Sequence, residues 1–220
     1  MSINPKTSAV DRTALSVAFT VGLYGAAFGA AGVTADFSVL QTCLLSLLLF
    51  SGASQFAVVG IMGAGGSAIS AIATATLLGF RNALYGIQMA PILKVTGIKR
   101  ILSAQITIDE STAVATLQEN DSDRRRGFYV TGIGVYVFWN LFTYLGALGA
   151  SAIGDPAAWG LDAAVPAAFC GLVWPRIKKK REFLITAAAI ALALLLTPIA
   201  PAGVPIITTV ILAVIFGWKK

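Results

Sequence analysis

Few residues in this chain could do chemistry, and most of them sit in apolar surroundings. Arg81 lies within Leu77-Leu78-Gly79-Phe80-Arg81-Asn82-Ala83-Leu84-Tyr85. An arginine at the centre of a bilayer costs at least about 2.5–3.5 kcal/mol, so it must face protein or water and have a partner. Its guanidinium can hold a substrate carboxylate through two parallel bonds, or pair with an acidic side chain such as Asp109 or Glu110. An arginine that snorkels to the headgroups from a true span is the plainer alternative.

The second group is Ser51-Gly52-Ala53-Ser54-Gln55-Phe56. Small residues there let helices approach closely in lipid, but the Gln55 amide needs partners at membrane depth, from a neighbouring helix or from a polar substrate. A helix opened at Ser51-Gly52 would leave backbone N–H and C=O groups free beside Gln55, as transporters commonly build midplane sites. Asp109 and Glu110 fall between Leu102, Ile106, Ala113 and Leu117, whose helical spacing predicts an amphipathic surface helix over Ile101–Leu117 with both acids solvated. Should that helix lean into the bundle, a carboxylate there could carry a proton or meet an ammonium group. Asp162, before Ala163-Ala164-Val165-Pro166, is placed to cap a helix, with an ion-pair or coupling role as the alternative.

Composition excludes other chemistry. With no histidine there is no Ser-His-Asp or Cys-His site and no histidine-ligated metal, so neither an enzyme nor a metal or other cofactor is expected. No Gly-x-x-x-x-Gly-Lys-Ser/Thr loop is present to bind and hydrolyse a nucleotide. Cys43 and Cys170 lie in apolar stretches and read as small hydrophobes.

The elements that must position these groups are membrane helices. Of 220 residues, 57% are apolar and 12% charged, with a mean hydropathy of +0.82, about half the charge of a soluble domain. Apolar runs at 13–32, 37–62, 67–93, 127–153, 158–175, 183–199 and 203–218 are the candidate segments. The stretch up to Ala9 is too polar for a signal peptide, so the first run is expected to stay as a permanent helix.

Apart from Arg81, every basic residue falls before the first run, in the 94–126 connection, in Arg176–Arg181 or at Lys219-Lys220. This asymmetry predicts that both termini and those connections are cytoplasmic. The net charge of +6 therefore concerns orientation and anionic lipid, with no nucleic acid implied. An even number of crossings must then separate the N-terminus from residue 94, which predicts that 67–93 turns back as a re-entrant or broken hairpin. One long span, giving seven in all, is the alternative. The expected fold is a single all-α, polytopic transmembrane domain over 1–220, with about six full spans plus that hairpin and a cytoplasmic connection at 94–126.

The ordered set Ser51–Phe56, Arg81–Tyr85, Asp109-Glu110, Tyr144-Leu145-Gly146-Ala147-Leu148-Gly149 and Gly160–Pro166 resembles the AzlC family of bacterial branched-chain amino acid exporters, over nearly the whole chain. The resemblance implies a permease of the bacterial inner membrane that exports leucine, isoleucine, valine and often methionine, working with a small hydrophobic AzlD-type partner. Relatives often have a histidine directly after the arginine and an asparagine two residues before it. Here those places hold Asn82 and Gly79.

A zwitterion with an aliphatic side chain needs a cationic or N–H-rich end, a carboxylate or carbonyl end and an apolar slot. Arg81 or the Ser51 end can meet the carboxylate, with Gly52, Ser54 and Asn82 beside them. Gln55 and free carbonyls can meet the ammonium, and Phe56, Phe80 and Tyr85 can line the slot. Secondary transport by the proton gradient or membrane potential is expected. A passive channel for a small polar solute and a structural subunit of a membrane complex are the competing functions, and self-association is left open.

Overall fold

Two long helices form the spine. In the computed structural model, which describes residues 5–153, 163–174 and 177–218, α1 (Pro5–Thr34) and α7 (Asp121–Ala152) lie side by side and parallel. The register is set by small residues, because in lipid close backbone approach replaces the hydrophobic drive between helices. A Cβ on Gly25 would run into the Trp139 carbonyl, one on Gly29 into that of Thr143, and one on Gly146 into that of Ala26. Both helices are long and apolar enough to cross a membrane. At one end of the pair, Arg126 grips Asp11 through two bonds of 2.6 Å.

Between them in sequence, two units repeat one plan. α1 is followed by α2 (Val39–Leu48) and α3 (Gly52–Gly63), and α4 (Ala68–Leu93) is followed by α5 (Gly97–Gln105) and α6 (Asp109–Thr116). Each long helix is followed within two residues by one in the left-handed region, Asp36 (φ 64°) and Lys94 (φ 53°), the two such non-glycine positions among the described residues. Each short pair is broken by three residues, 49–51 and 106–108.

The two pairs enter from opposite ends of the bundle. A Cβ on Gly63 would lie 2.8 Å from that of Ala35, so α3 finishes where α1 finishes and α2–α3 is a hairpin that returns to its starting end. At the other end Gly127, in the first turns of α7, packs against Val114 of α6 and Val10 of α1, and Arg125 Nε donates to Ile92 O of α4 at 2.7 Å. Thus α4 runs antiparallel to α1, and α5–α6 re-enters from the opposite side. At about 1.5 Å per residue the hairpin arms are roughly 12–18 Å long, near half of a hydrocarbon layer of about 30 Å.

The re-entrant segment expected at 67–93 is corrected by this arrangement. Residues 68–93 are one unbroken helix of 26 residues, with Pro91 confined to its last turn. The break falls in 37–62 instead, where residues 49–51 open the helix between α2 and α3. The single amphipathic helix expected over Ile101–Leu117 is also corrected. Three consecutive β-branched residues, Ile106-Thr107-Ile108, disfavour helix, and Ser111 Oγ takes the exposed Ile106 O at 2.8 Å, so the segment breaks into α5 and α6.

The core gathers where the breaks meet the spine: Phe28, Phe50, Phe56, Val59, Ile108, Val135 and Trp139 are buried together. α8 (Ala164–Val173) packs on α1 and α3. α9 (Lys180–Leu196) pairs with α10 (Val204–Trp218), and their connecting turn reaches Ile61, Gly66 and Ser70. Asp162 lies outside the described residues, so its expected roles are not addressed by the fold.

Candidate functional site

A break in a membrane helix exposes carbonyls that must be satisfied internally. At the end of α2 each one is. Gln55 Nε2 donates to Leu49 O (2.6 Å) and Ser46 O (3.3 Å), Gln105 Nε2 reaches Leu47 O (3.0 Å) and Leu48 O (3.4 Å), and Tyr136 Oη donates to Leu47 O (3.2 Å). Gln105 belongs to the other hairpin, so these bonds also tie the two tips together. Gln55 Oε1 accepts from Trp139 Nε1 at 2.9 Å. The fully buried Gln55 amide holds the break open, and Gln55 is not among the residues that line the cavity between the hairpin tips.

Ser54 is likewise internal. Its Oγ accepts from Ser51 Oγ (3.1 Å) and donates to Ala75 O of α4 (2.9 Å), pinning the start of α3 to the next helix. Tyr85 lies outside the cavity lining, and Phe80 is 64% exposed on the outer surface of α4. Neither lines the expected slot.

What remains converges. A cavity of about 150 Å³ sits between the tips, lined among others by Ser51, Gly52, Ala53 and Phe56 from α3, Arg81 and Asn82 from α4, and Asp109 and Glu110 from α6. Arg81 Nη1 lies 2.8 Å from Asp109 Oδ2. The side chains are 33% and 22% exposed, so Asp109 is not the solvated surface acid that the amphipathic pattern predicts. The reason is the break at 106–108, which turns the start of α6 inward.

The polarity of the cavity is two-sided. The first turn of α3 has no acidic residue and no side-chain cap, leaving its N–H end toward the lining residues Gly52 and Ala53. The first turn of α6 carries two carboxylates. Arg81 Nε and Asn82 Oδ1 are buried without a hydrogen-bond partner among the described residues, a state that costs about 1–3 kcal/mol per group unless a ligand supplies the bond. No metal-binding cluster of His, Cys, Asp or Glu occurs among the described residues.

Sequence reasoning missed the apolar wall. Val21, Tyr24, Phe50, Ile108, Val135 and Trp139 also line the cavity, with Gly171 of α8. Trp139 lies against Gly52, where a Cβ would be 3.1 Å from its ring, and stacks on Phe28 at 6.3 Å. The indole N–H at membrane depth was the available signal, since it needs an acceptor and Gln55 offers one.

A protein-family model described as AzlC protein matches residues 16–153. The chain belongs to the AzlC family. That match runs from α1 to the end of α7 and includes both hairpins and the whole Arg81–Asp109 site. Among the relatives, the inner membrane protein YgaZ of Escherichia coli K12 is 30% identical over 176 residues, covering 74% of this chain and 70% of the relative. An uncharacterized membrane protein of Archaeoglobus fulgidus is 31% identical over 193 residues, 86% of this chain and 82% of the relative. No solved structure matches. The AzlC fold described above is accordingly that of a membrane protein, with helices as its only regular elements among the described residues, in a family associated with transport.

Proposed function

We propose that the chain is the large subunit of a secondary transporter that exports branched-chain amino acids, leucine, isoleucine and valine with methionine as a further substrate, across the cytoplasmic membrane. A small hydrophobic AzlD-type subunit is its partner, and both termini are cytoplasmic. The observation that carries this reading is the two-sided cavity at the meeting of two inverted hairpins. Arg81 and the N–H end of α3 suit a carboxylate, Asp109, Glu110 and Asn82 Oδ1 suit an ammonium, and the walls are aromatic and aliphatic.

A cavity near 150 Å³ is benzene-sized, which favours one small aliphatic side chain over a peptide. Inverted repeats around a midplane site are the architecture of alternating access, in which one repeat rocks against the other. The orientation is supported by the basic residues Lys94, Lys99, Arg100 and Arg124–Arg126, which gather at the end where α5–α6 enters. The absence of a nucleotide-binding loop in the sequence favours coupling to the proton gradient or the membrane potential.

The test is efflux from dipeptide-fed cells carrying or lacking this gene together with its partner. Faster, saturable and stereoselective loss of leucine, valine or methionine supports an exporter. Equal efflux for all of them contradicts it, and non-saturable flux blind to stereochemistry would make the protein a channel.

A further inference from the structure

The sequence Arg124-Arg125-Arg126 holds three adjacent cations at the start of α7, and two are neutralised. Arg124 lies 3.4 Å from Asp121, and Arg126 pairs with Asp11 at 2.6 Å. Arg125 has no carboxylate partner among the described residues; its Nε donates to Ile92 O, which fixes the guanidinium at the mouth of a groove between α5, α7 and the end of α4. Lys99, also without a carboxylate partner, lines the same groove. No acidic residue is among its lining.

The rest of this groove is five aliphatic side chains with the uncharged polar groups of Ser103, Gln105, Tyr129 and Tyr136 among them. It encloses about 750 Å³, with Leu93, Val95, Leu102, Ile106 and Ile133 along its walls. Ser103 and Tyr129 supply a pair of hydroxyls 2.9 Å apart. The helix bordering it, α5, presents Ile98, Ile101 and Leu102 outward, each more than 60% exposed, beside Lys99 and Arg100.

We infer that this groove binds an anionic phospholipid of the adjoining leaflet, its phosphate between Lys99 and Arg125 and an acyl chain along Leu102 and Ile133. Charge complementarity selects the occupant. Two uncompensated cations call for an anion, and basic pockets between membrane helices on the cytoplasmic side hold lipid headgroups. The apolar walls call for a chain attached to that anion, which a free phosphate lacks. A lipid there would brace α5, the arm whose Gln105 ties the two hairpin tips. The site does not depend on what the central cavity transports.

The test uses the full-length protein, stripped of lipid in mild detergent and titrated with phosphatidylglycerol or phosphatidylcholine, with retention read by native mass spectrometry and thermal unfolding. Phosphatidylglycerol should be retained about tenfold better than phosphatidylcholine. Lys99→Gln with Arg125→Gln should erase that preference, whereas Arg124→Gln, whose charge Asp121 matches, should keep it. Should the double variant not fold, Lys99→Gln alone, at an exposed position, should lower the preference roughly fivefold.

Equal retention of the two lipids, or a preference unchanged in Lys99→Gln, overturns the proposal. So does competition by glycerol 3-phosphate as strong as that of the lipid, which would make this a small-phosphate site. A lipid-independent protein association abolished by the same substitutions would make the groove a subunit interface and equally overturn it.

Discussion

Arg81 of α4 and Asp109 of α6 meet with 2.8 Å between Nη1 and Oδ2, and through them the middle of a long helix is fixed to the tip of a hairpin that enters from one end of the bundle. The pair lines the cavity, so it both shapes the site and places opposite charges on its wall. Removing either partner leaves the other charge partly buried and alone. Arg81→Gln and Asp109→Asn should each cut transport at least tenfold, and Arg81→Lys should not restore it because a point charge cannot replace the planar fork. A double-mutant cycle on unfolding should give a coupling of about 1–3 kcal/mol. Additive effects would mean that the two groups act independently.

Gln55 should matter for folding more than for substrate choice. Gln55→Leu removes the donor that serves Leu49 O and Ser46 O, and Trp139→Phe leaves Gln55 Oε1 without its indole donor. Each should destabilise by about 1–3 kcal/mol in thermal unfolding, the usual cost of stranding a buried polar group. The ratio of leucine to valine transported by the surviving fraction should shift for Trp139→Phe, which lines the cavity, and stay unchanged for Gln55→Leu.

The parallel packing of α1 on α7 predicts a contrast among glycines. Gly29→Val would drive a side chain into the Thr143 backbone and should cost about 3 kcal/mol or prevent accumulation of folded protein. Gly149→Ala has open space and should leave stability and yield unchanged. Expression level and fluorescence-detected size-exclusion profiles separate the two.

The hairpin at 37–62 makes a topological prediction. With Cys43 and Cys170 replaced by serine, Ala35→Cys and Gly63→Cys should form a disulfide on oxidation, since a Cβ on Gly63 would fall 2.8 Å from that of Ala35 and the two helix ends need part by only about 1 Å to reach disulfide spacing. A segment that crossed the membrane would hold these positions on opposite sides, and no crosslink would form.

Much of this was legible in the residues. Ser51-Gly52 beside Gln55 marks a helix opening, and the charge asymmetry points to one broken segment before residue 94. The segment was misplaced because the arithmetic fixes only the parity of crossings, and Arg81 looks like a turn until its partner is seen. That partner, Asp109, lies between residues with helical spacing, and the spacing hides a break made by three β-branched residues and closed by Ser111. The inverted repeat was invisible for a related reason. Its two halves share backbone plan, with left-handed Asp36 and Lys94 and three-residue breaks, while their side chains differ, as Gly52-Ala53 against Asp109-Glu110 shows. That difference gives the cavity its two polarities.

The most direct test of the central claim, that the cavity between the hairpin tips carries a small aliphatic amino acid, is counterflow. The protein and its small partner are reconstituted into vesicles preloaded with unlabelled L-leucine, and entry of labelled L-leucine is followed. The account predicts transient accumulation that saturates, rejects D-leucine and disappears in Arg81→Gln. Linear entry insensitive to preloading, or accumulation unchanged in Arg81→Gln, would contradict it.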